Sequence, residues 1–172
     1  MVKFKYFKDP DNFSYKMKSE EKCSVCNAVG IWFDAGGFYG SGELNCICDR
    51  CLINGELEEL EKFTNDVYMG NEEQIREITY RTPTLPTWQD IEWPFLNGDY
   101  CIFEKFASKE DYKNKQEFIE SILPSDKDLV DFDSLWSALP DKKIKNIKDG
   151  NNNTTVYLFS SNGKKVSTWD AN

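Results

Sequence analysis

Two Cys-x-x-Cys pairs in the N-terminal part of the chain supply four thiols that one metal ion can bind. The first pair is Cys23 and Cys26, the second is Cys48 and Cys51, and residues 27–47 separate them. A tight turn presents both sulfurs of a pair to one ion, and zinc prefers four soft ligands in a tetrahedron. The spacing therefore predicts one structural zinc ion, bound by these four cysteines, with no open coordination position for catalysis.

Other interpretations of the cysteines stay open. They can form two disulfides, remain buried free thiols or act in redox chemistry, although no thioredoxin-like βαβ pattern surrounds them. Cys46 precedes Cys48 by two residues. It offers an alternative ligand, or it packs as a small apolar residue. In a reducing compartment, paired cysteines indicate a metal site more strongly than a disulfide.

The composition is that of an ordinary cytoplasmic protein. Of the 172 residues, 40% are hydrophobic and 15% aromatic, which is enough to bury a core without disulfides. No segment approaches the roughly 20 consecutive apolar residues of a membrane helix. The N-terminus lacks the apolar run and the cleavage site of a signal peptide. We therefore expect neither secretion nor a membrane partner.

The charge balance and the absence of histidine restrict the range of functions that the protein can have. The formal net charge is −9, so nucleic acids and anionic membranes are repelled, whereas a basic protein partner is attracted. The alternative is that the protein is acidic only because a net charge keeps it soluble. Without histidine, the Ser–His and Cys–His nucleophile pairs are excluded. The sequence therefore favours a protein-binding module over an enzyme.

Turn signals and periodicity predict an α+β fold for a single domain over 1–172. A zinc-knuckle subdomain of treble-clef or ribbon type is expected over 20–63, with a β-hairpin between the cysteine pairs. We expect small antiparallel sheets and three to four helices, with helical patterns over 52–63, 71–80, 108–124 and 134–139. A short first strand is expected over 2–6. Asn162-Gly163 between two alternating runs predicts a C-terminal β-hairpin.

Five residues are candidates for a partner-binding surface. Arg81, Trp88 and Trp93 surround a proline-rich loop, and Trp and Arg dominate interface hot spots. The alternative is that both tryptophans are core residues and that Arg81 ties the loop to a carboxylate. Glu58 and Glu59, in the acidic stretch 56–61, imitate phosphates toward a basic partner, or they form a solvated helix face.

Two further functions use other residues. A thiol-redox protein or another enzyme would use Cys101 or Cys46, and Asp99 beside Cys101 would serve as a base or as a turn residue. A nucleic-acid-binding zinc protein needs a basic patch. The dense basic cluster is formed by Lys142, Lys143, Lys145 and Lys148, which an exposed turn explains equally well.

A series of motifs, in the same order along nearly the whole chain, resembles the bacterial CbrC family, which is associated with colicin tolerance. The motifs are Phe4-Lys5-Tyr6-Phe7-Lys8-Asp9-Pro10, both cysteine pairs, Gly37-Phe38-Tyr39, Asn54-Gly55, Arg81-Thr82-Pro83, Trp88-Gln89, Trp93, Gly98-Asp99-x-Cys101-x-Phe103, Tyr157-Leu158-Phe159 and Trp169-Asp170. The resemblance implies no established enzymatic activity. It implies tolerance of, or immunity to, a bacterial toxin, with a basic toxin domain as the partner.

The chain departs from this family at two places. Where the family carries a His-Cys pair, this sequence has Leu96-Asn97, and where it carries a C-terminal Cys-x-x-Cys, this sequence has Ser160-Ser161-Asn162-Gly163. Of these additional family cysteines, the chain retains Cys101. We therefore expect a divergent member with one zinc ion instead of two, in which an Asn-Gly hairpin makes the reversal that the lost cysteine pair would make.

Overall fold

The structure, a computed structural model, describes residues 2–87, 89, 92–145 and 153–171. The chain divides into two compact units, Met1–Pro86 and Thr87–Asn172. Both units combine short helices with small antiparallel sheets, so the predicted α+β class is confirmed. The assignment of the whole chain to one domain stays a prediction.

The first unit is built from very short elements. Its helices are α1 (Pro10–Phe13), α2 (Asp49–Ile53) and α3 (Glu72–Arg81). Its strands are β1 (Glu21–Lys22), β2 (Val29–Gly30), β3 (Phe33–Asp34), β4 (Tyr39–Gly40), β5 (Cys46–Ile47) and β6 (Lys62–Phe63). They form three two-stranded antiparallel sheets, β1–β2, β3–β5 and β4–β6.

The segment between the cysteine pairs is not the single hairpin that the sequence predicts. β3 pairs with β5, whereas β4 pairs with β6, which lies beyond the second cysteine pair. The side chain of Asp34 accepts a hydrogen bond from the N–H of Gly36 at 2.9 Å and begins a 3₁₀ turn over Ala35–Gly37. This turn separates β3 from β4, so each strand finds a different partner.

Two other predicted elements differ in the structure. α2 ends at Ile53, and turns occupy the predicted helix as far as β6. Gly55 takes a positive φ of 80°, which ends helical geometry. A Cβ at Gly55 would lie 2.9 Å from Nε of Arg81, so glycine also permits this close packing. Residues 2–6 form no strand, although Phe4 and Tyr6 are buried.

α3 follows the sequence prediction closely. Asn71 Oδ1 accepts the N–H of Gln74 at 2.9 Å, and Gln74 Oε1 accepts the N–H of Asn71 at 2.9 Å, which completes a capping box. The buried Asn65 holds the other end of the helix. Its amide donates to the Ile78 carbonyl at 3.1 Å, and its Oδ1 accepts the N–H of Leu85 at 2.8 Å.

The second unit contains the largest sheet. Its strands are β7 (Phe95–Leu96), β8 (Asp99–Tyr100), β9 (Ile102–Phe106), β10 (Thr154–Ser161) and β11 (Lys164–Ala171), and its helices are α4 (Lys115–Ser121) and α5 (Phe132–Ala138). The sheet has the antiparallel order β11-β10-β9, and β7 pairs with β8 separately. Asn162 and Gly163, with positive φ of 48° and 75°, join β10 to β11. The predicted C-terminal hairpin is confirmed.

The three-stranded sheet buries both of its faces. Successive side chains of a strand point to opposite faces. Phe103 of β9 contacts Tyr157 of β10 at a tilted angle and Phe159 of β10 edge-on. Trp93 also lies edge-on to Phe159, with ring centroids 5.9 Å apart. The alternate residues of β10 pack with α4 and α5 in a second cluster formed by Ala107, Tyr112, Phe118, Ile122, Leu135, Leu139, Val156 and Leu158.

The helices of the chain are short. The predicted helix over 108–124 is divided into a 3₁₀ turn, Lys109–Asp111, and α4. Asn114 caps α4 by accepting the N–H of Glu117 at 2.9 Å, which starts a new helix at that point. Among the described residues, none of the helices has both the length and the apolar character needed to span a lipid bilayer.

Candidate metal centre

The first cysteine pair lies in the tight turn between β1 and β2. The N–H of Cys23 donates to the Ala28 carbonyl at 2.8 Å, and the N–H of Asn27 donates to the Cys23 carbonyl at 2.9 Å. Asn27 takes a left-handed φ of 63°, a region that asparagine enters more readily than most residues. The turn therefore folds Cys26 back toward Cys23, as in a zinc knuckle.

The second pair lies at the start of α2. Cys48 is the N-cap residue, and its Sγ accepts the N–H of Cys51 at 3.5 Å. Residues three apart on a helix lie on the same side, so Cys48 and Cys51 present their sulfurs together. A knuckle followed by an antiparallel strand pair and a helix start corresponds to the predicted treble-clef type of unit.

Ser24 joins the two cysteine loops and was not singled out from the sequence. Its N–H donates to the Cys46 carbonyl at 3.0 Å. Its Oγ accepts the N–H groups of Asn45 and Cys46 at 3.3 Å each. A serine inside a Cys-x-x-Cys turn has no distinctive pattern, since the loop that it contacts is about twenty residues away in sequence. The contact fixes the distance between the two pairs.

The four sulfur atoms lie close enough together for a single ion. The Sγ atoms of Cys23, Cys26, Cys48 and Cys51 all lie within 4.8 Å of one another, and Cys26 Sγ is 3.6 Å from Cys48 Sγ. Four sulfurs around zinc at about 2.3 Å stand about 3.8 Å apart in a tetrahedron. None of the six cysteines forms a disulfide. The donor set and its spacing therefore fit a tetrahedral metal ion.

The thiols of the cluster differ in acidity. Burial raises the pKa of Cys23, but the backbone N–H groups of Cys26, Cys48 and Val25 outweigh it and lower the pKa to about 7. Burial raises the pKa of Cys48 and of Cys51 above the ordinary thiol value. Cys23 therefore becomes a thiolate at a lower pH than Cys48 or Cys51, and a bound metal ion would displace the protons of those two thiols.

Cys46 is close to the cluster but does not belong to it. Its side chain is fully buried, and its Sγ donates to the Lys22 carbonyl at 3.2 Å. Burial, together with the charges of Cys23 and Glu21, raises the pKa of Cys46. The group of four sulfurs within bonding reach of one ion does not include Cys46. Of the two roles considered for this residue, its position agrees with packing as a small apolar side chain.

The sequence that forms this centre is similar to that of a known protein family. The model of an uncharacterised protein family, UPF0167, matches residues 1–169. The chain belongs to the UPF0167 family. No solved structure matches it. The match spans almost the whole chain, so the cysteine cluster of the first unit and the three-stranded sheet of the second lie within one UPF0167 region.

The predicted partner-binding residues have different surroundings in this UPF0167 protein. Trp93 is 4% exposed, and its indole N–H donates to the Cys101 carbonyl at 2.8 Å, so its side chain belongs to the interior. Arg81 is partly exposed and lies 3.7 Å from Glu77 Oε2. Glu58 and Glu59 are exposed, and Glu58 forms a 2.7 Å ion pair with Arg76. Trp88 lies outside the described residues.

Cys101, the candidate thiol of the second unit, is fully buried. Burial raises its pKa to about 11, against the effect of a hydrogen bond with Ser161. Its backbone N–H donates to the Pro94 carbonyl at 2.9 Å, and its backbone carbonyl accepts the indole N–H of Trp93. Trp93 and Pro94 therefore hold both backbone groups of Cys101. A protonated, buried thiol is a poor nucleophile.

Proposed function

We propose that this UPF0167 protein is a non-enzymatic, zinc-stabilised, cytoplasmic protein that acts by binding a protein partner. The observation that carries the proposal is the cluster of four sulfurs within 4.8 Å of one another. Four cysteine ligands complete the coordination of zinc, so such an ion stabilises the fold and offers no position to a substrate. Thiols must stay reduced to bind a metal ion, and this favours a location of the protein in the cytoplasm.

Zinc is the ion that best fits the donor set. Soft thiolates in a tetrahedron select zinc or iron among the common metals. The strands around the cluster are only two residues long, so each supplies few backbone hydrogen bonds, and a bound ion would add to the stability of the first unit. Cys23, Cys26, Cys48 and Cys51 would hold this ion, and Ser24 would fix the distance between the two pairs.

A basic protein is the proposed partner. The net charge of −9 attracts a basic surface at long range. Glu59 is exposed and has no ion-pair partner in the part of the chain that the structure describes. Glu58 already pairs with Arg76, but exposed pairs of this kind contribute little and exchange readily. Both glutamates are therefore available to a cationic partner.

Toxin tolerance is the biological role that we propose, on the basis of the resemblance to the CbrC family. We also propose that this chain is a divergent member that has lost the C-terminal cysteine pair. The Asn162-Gly163 turn supports this view, since it reverses the chain between β10 and β11 without any metal. The alternative, a thiol enzyme using Cys46 or Cys101, is less well supported because both side chains are fully buried.

Co-purification from the native host tests the partner role. The tagged, zinc-loaded chain is captured at low and at moderate salt, and we expect one stoichiometric basic protein whose retention falls as salt rises. That protein, expressed alone, should be toxic. A partner that is retained equally at both salt concentrations, or the absence of any stoichiometric partner, would contradict the proposal.

Matched variants show whether the acidic residues form the interface. We expect the double variant Glu58→Gln with Glu59→Gln to lose most of the partner. The control is Glu43→Gln with Asp66→Asn, which changes the charge equally at two other exposed residues of the same unit. Equal losses in both double variants would indicate attraction by net charge alone. Metal content and circular dichroism establish that every variant is folded.

A further inference from the structure

Strand β2 has a free edge in the part of the chain that the structure describes. Lys22 of β1 lies opposite Val29 of β2. The N–H of Cys23 donates to the Ala28 carbonyl at 2.8 Å. In an antiparallel ladder, this bond places Lys22 and Val29 in a pair that exchanges no hydrogen bonds. The N–H and C=O of Val29 therefore point away from β1, and no hydrogen bond to either group occurs among the described residues.

Ile31 continues this edge beyond the end of β2. The N–H of Met17, in the segment that precedes β1, donates to the Trp32 carbonyl at 2.9 Å. Successive residues of an extended chain direct their main-chain groups to opposite sides, so those of Ile31 point away from this segment, as those of Val29 do. They too have no hydrogen-bond partner in the described ranges. This Val29–Ile31 edge therefore presents two N–H and two C=O groups to which a further strand can bind.

The side chains of the Val29–Ile31 edge are apolar and exposed. Val29 is 62% exposed and Ile31 is 53% exposed. Since they are two residues apart on an extended chain, both side chains lie on the same face. Proteins commonly protect a sheet edge with a proline or a charged side chain, and neither occurs in Val29-Gly30-Ile31. This edge is therefore open both to main-chain pairing and to apolar contact.

Trp32 fixes the backbone of this edge from the opposite face. Its indole N–H donates to the Ala28 carbonyl at 2.8 Å. Its ring lies against Gly30, where an added Cβ would be 2.6 Å from the nearest ring atom. The two contacts hold residues 28–32 in one conformation. Binding to a strand that is already fixed costs less conformational entropy.

We propose that the Val29–Ile31 edge binds an extended segment of a partner protein, which adds to β2 as an antiparallel strand. Apolar side chains of this segment would cover Val29 and Ile31. Lys22 lies opposite Val29 and therefore on the same face, is exposed, and forms no ion pair with a described residue. An acidic side chain on that face of the segment would complement Lys22. The ligand is thus an apolar strand flanked by acidic residues.

A second copy of this chain is a poorer occupant of the edge. Each copy would bring its own Lys22 to the same place and a net charge of −9 to the complex, so like charges would oppose the pairing. The inference rests on the proposed partner role and deepens it, because it states how one segment of the partner binds. A partner that carries such a strand can be basic elsewhere, where it faces Glu58 and Glu59.

The experiment is a titration of the zinc-loaded, full-length protein with a synthetic peptide, followed by two-dimensional amide NMR and hydrogen exchange. The probe is acetyl-Glu-Ser-Val-Thr-Val-Ser-Glu-amide, whose two valines and two glutamates share one face of an extended strand. We expect saturable shifts at Val29, Gly30 and Ile31. In the free protein the amide protons of Val29 and Ile31 should exchange rapidly, and bound peptide should slow their exchange about tenfold or more.

Two modified peptides distinguish strand pairing from general apolar contact. N-methylation of both valines removes the peptide N–H groups that face β2 and keeps the side chains, so binding should weaken about tenfold or more. N-methylation of the central threonine alters an N–H that points away from β2, and this matched control should bind as the parent peptide does. A peptide with lysine in place of both glutamates should bind about threefold or more weakly, because Lys22 repels it.

Protein variants test the same contacts from the other side. The double variant Val29→Thr with Ile31→Thr keeps β-branched side chains and reduces their apolar surface, so it should bind the peptide about tenfold more weakly. Ile102→Thr is the control at another exposed isoleucine. Lys22→Gln should weaken binding about threefold and abolish the preference for glutamate over lysine. Lys142→Gln, at an exposed lysine of the second unit, should bind as the wild type does.

Two results would overturn the inference. One is the absence of saturable shifts at the Val29–Ile31 edge up to several millimolar peptide. The other is equal binding of the parent peptide and of the peptide with N-methylated valines. Both are measured without any partner protein, so they are distinct from a failure of the co-purification experiment. Peptide binding in a protein that captures no partner would support the edge as a strand-binding site and contradict the partner role.

Discussion

The Sγ atom of Cys23 accepts the backbone N–H of Cys48 at 3.3 Å. This contact joins the first cysteine of the knuckle to the N-cap of α2, and backbone hydrogen bonds, including this one, favour the thiolate of Cys23. The backbone therefore prepares one sulfur for a cation before any ion is bound. A metal ion would then displace the protons of Cys48 and Cys51, whose pKa values are raised by burial.

We expect the purified protein to contain about one equivalent of zinc, and we expect Cys48→Ser to lose it. Loss of a structural zinc removes on the order of 10 kcal/mol, which exceeds the stability of many small domains. The first unit should then lose its near-ultraviolet circular dichroism signal, and so should wild type with a strong chelator. Elemental analysis measures the metal. Cys46→Ser is the control and should keep its zinc, since Cys46 Sγ bonds to the Lys22 carbonyl. Metal-free wild type that stays folded would refute this prediction.

Cys46 and Cys101 should not react with thiol reagents in the folded protein. Both are fully buried, and the pKa of each is raised, to about 11 for Cys101. At pH 8 a thiol of pKa 11 is a thiolate in about one molecule in a thousand. Iodoacetamide labelling followed by peptide mass spectrometry measures the rate at each cysteine, with denatured protein as the reference. Rapid labelling of either residue in folded protein would instead support the thiol enzyme.

The stability of the protein should fall between pH 9 and pH 11 because of Cys101. Its pKa is raised from 9.0 to about 11 in the folded state. Below pH 9 both states keep the proton, whereas between these values the unfolded state releases it and the folded state does not. The loss is up to about 2–3 kcal/mol. Urea unfolding at several pH values measures it. Cys101→Ala should show a smaller loss over the same range, and an identical loss would assign the effect to other groups.

Local chemistry explains which elements the sequence predicted correctly. The cysteine spacing, the Asn71–Gln74 capping box and the Asn162-Gly163 turn each depend on residues close together in the chain, and all three motifs appear in the structure. The metal ligation that the four cysteines suggest stays a prediction.

Long-range pairing and backbone conformation explain the differences. A two-residue strand has no periodicity, so the sequence could not show that Tyr39 of β4 lies opposite Phe63 of β6. The spacing of Leu57, Leu60 and Phe63 is helical, but the positive φ of Gly55 ends α2 before that pattern begins. Trp93 was a candidate surface residue because tryptophan is frequent in interfaces, whereas its N–H is satisfied inside the unit.

Asn65 should be among the most sensitive positions of the first unit. Its amide donates to the carbonyls of Ile78 at 3.1 Å and Pro83 at 3.0 Å, and its Oδ1 accepts the N–H of Leu85 at 2.8 Å. Asn65→Leu keeps the approximate volume and removes the Asn65 partner of the Pro83 carbonyl and of the Leu85 N–H, at about 2–4 kcal/mol. Urea unfolding measures the change. Asn12→Leu, at an exposed residue of the same unit, should change stability by less than about 1 kcal/mol.

A chain of three buried hydroxyls in the second unit has a defined direction. Ser121 Oγ donates its one hydrogen to the Phe118 carbonyl at 2.6 Å, so it must accept from Ser167 Oγ, 2.7 Å away. Ser167 must in turn accept from the Tyr112 hydroxyl, also 2.7 Å away. Each hydroxyl has one hydrogen and therefore donates once. The donor at the end of the chain is Tyr112, and Ser167 in the middle both donates and accepts.

This direction predicts unequal effects of two conservative substitutions. Tyr112→Phe removes the hydroxyl that donates to Ser167. The Ser167 oxygen then accepts one hydrogen bond fewer, which should lower the free energy of unfolding by about 1 kcal/mol. Ser167→Ala leaves the Tyr112 O–H without an acceptor and should cost about 2–3 kcal/mol. The double variant has no Tyr112 O–H that could lack an acceptor. Its loss of unfolding free energy should therefore be smaller than the sum of the two single losses by about 1 kcal/mol. Urea unfolding of the four proteins measures this cycle. Additive effects, or a larger cost for Tyr112→Phe than for Ser167→Ala, would mean that the hydroxyls do not form the directed chain.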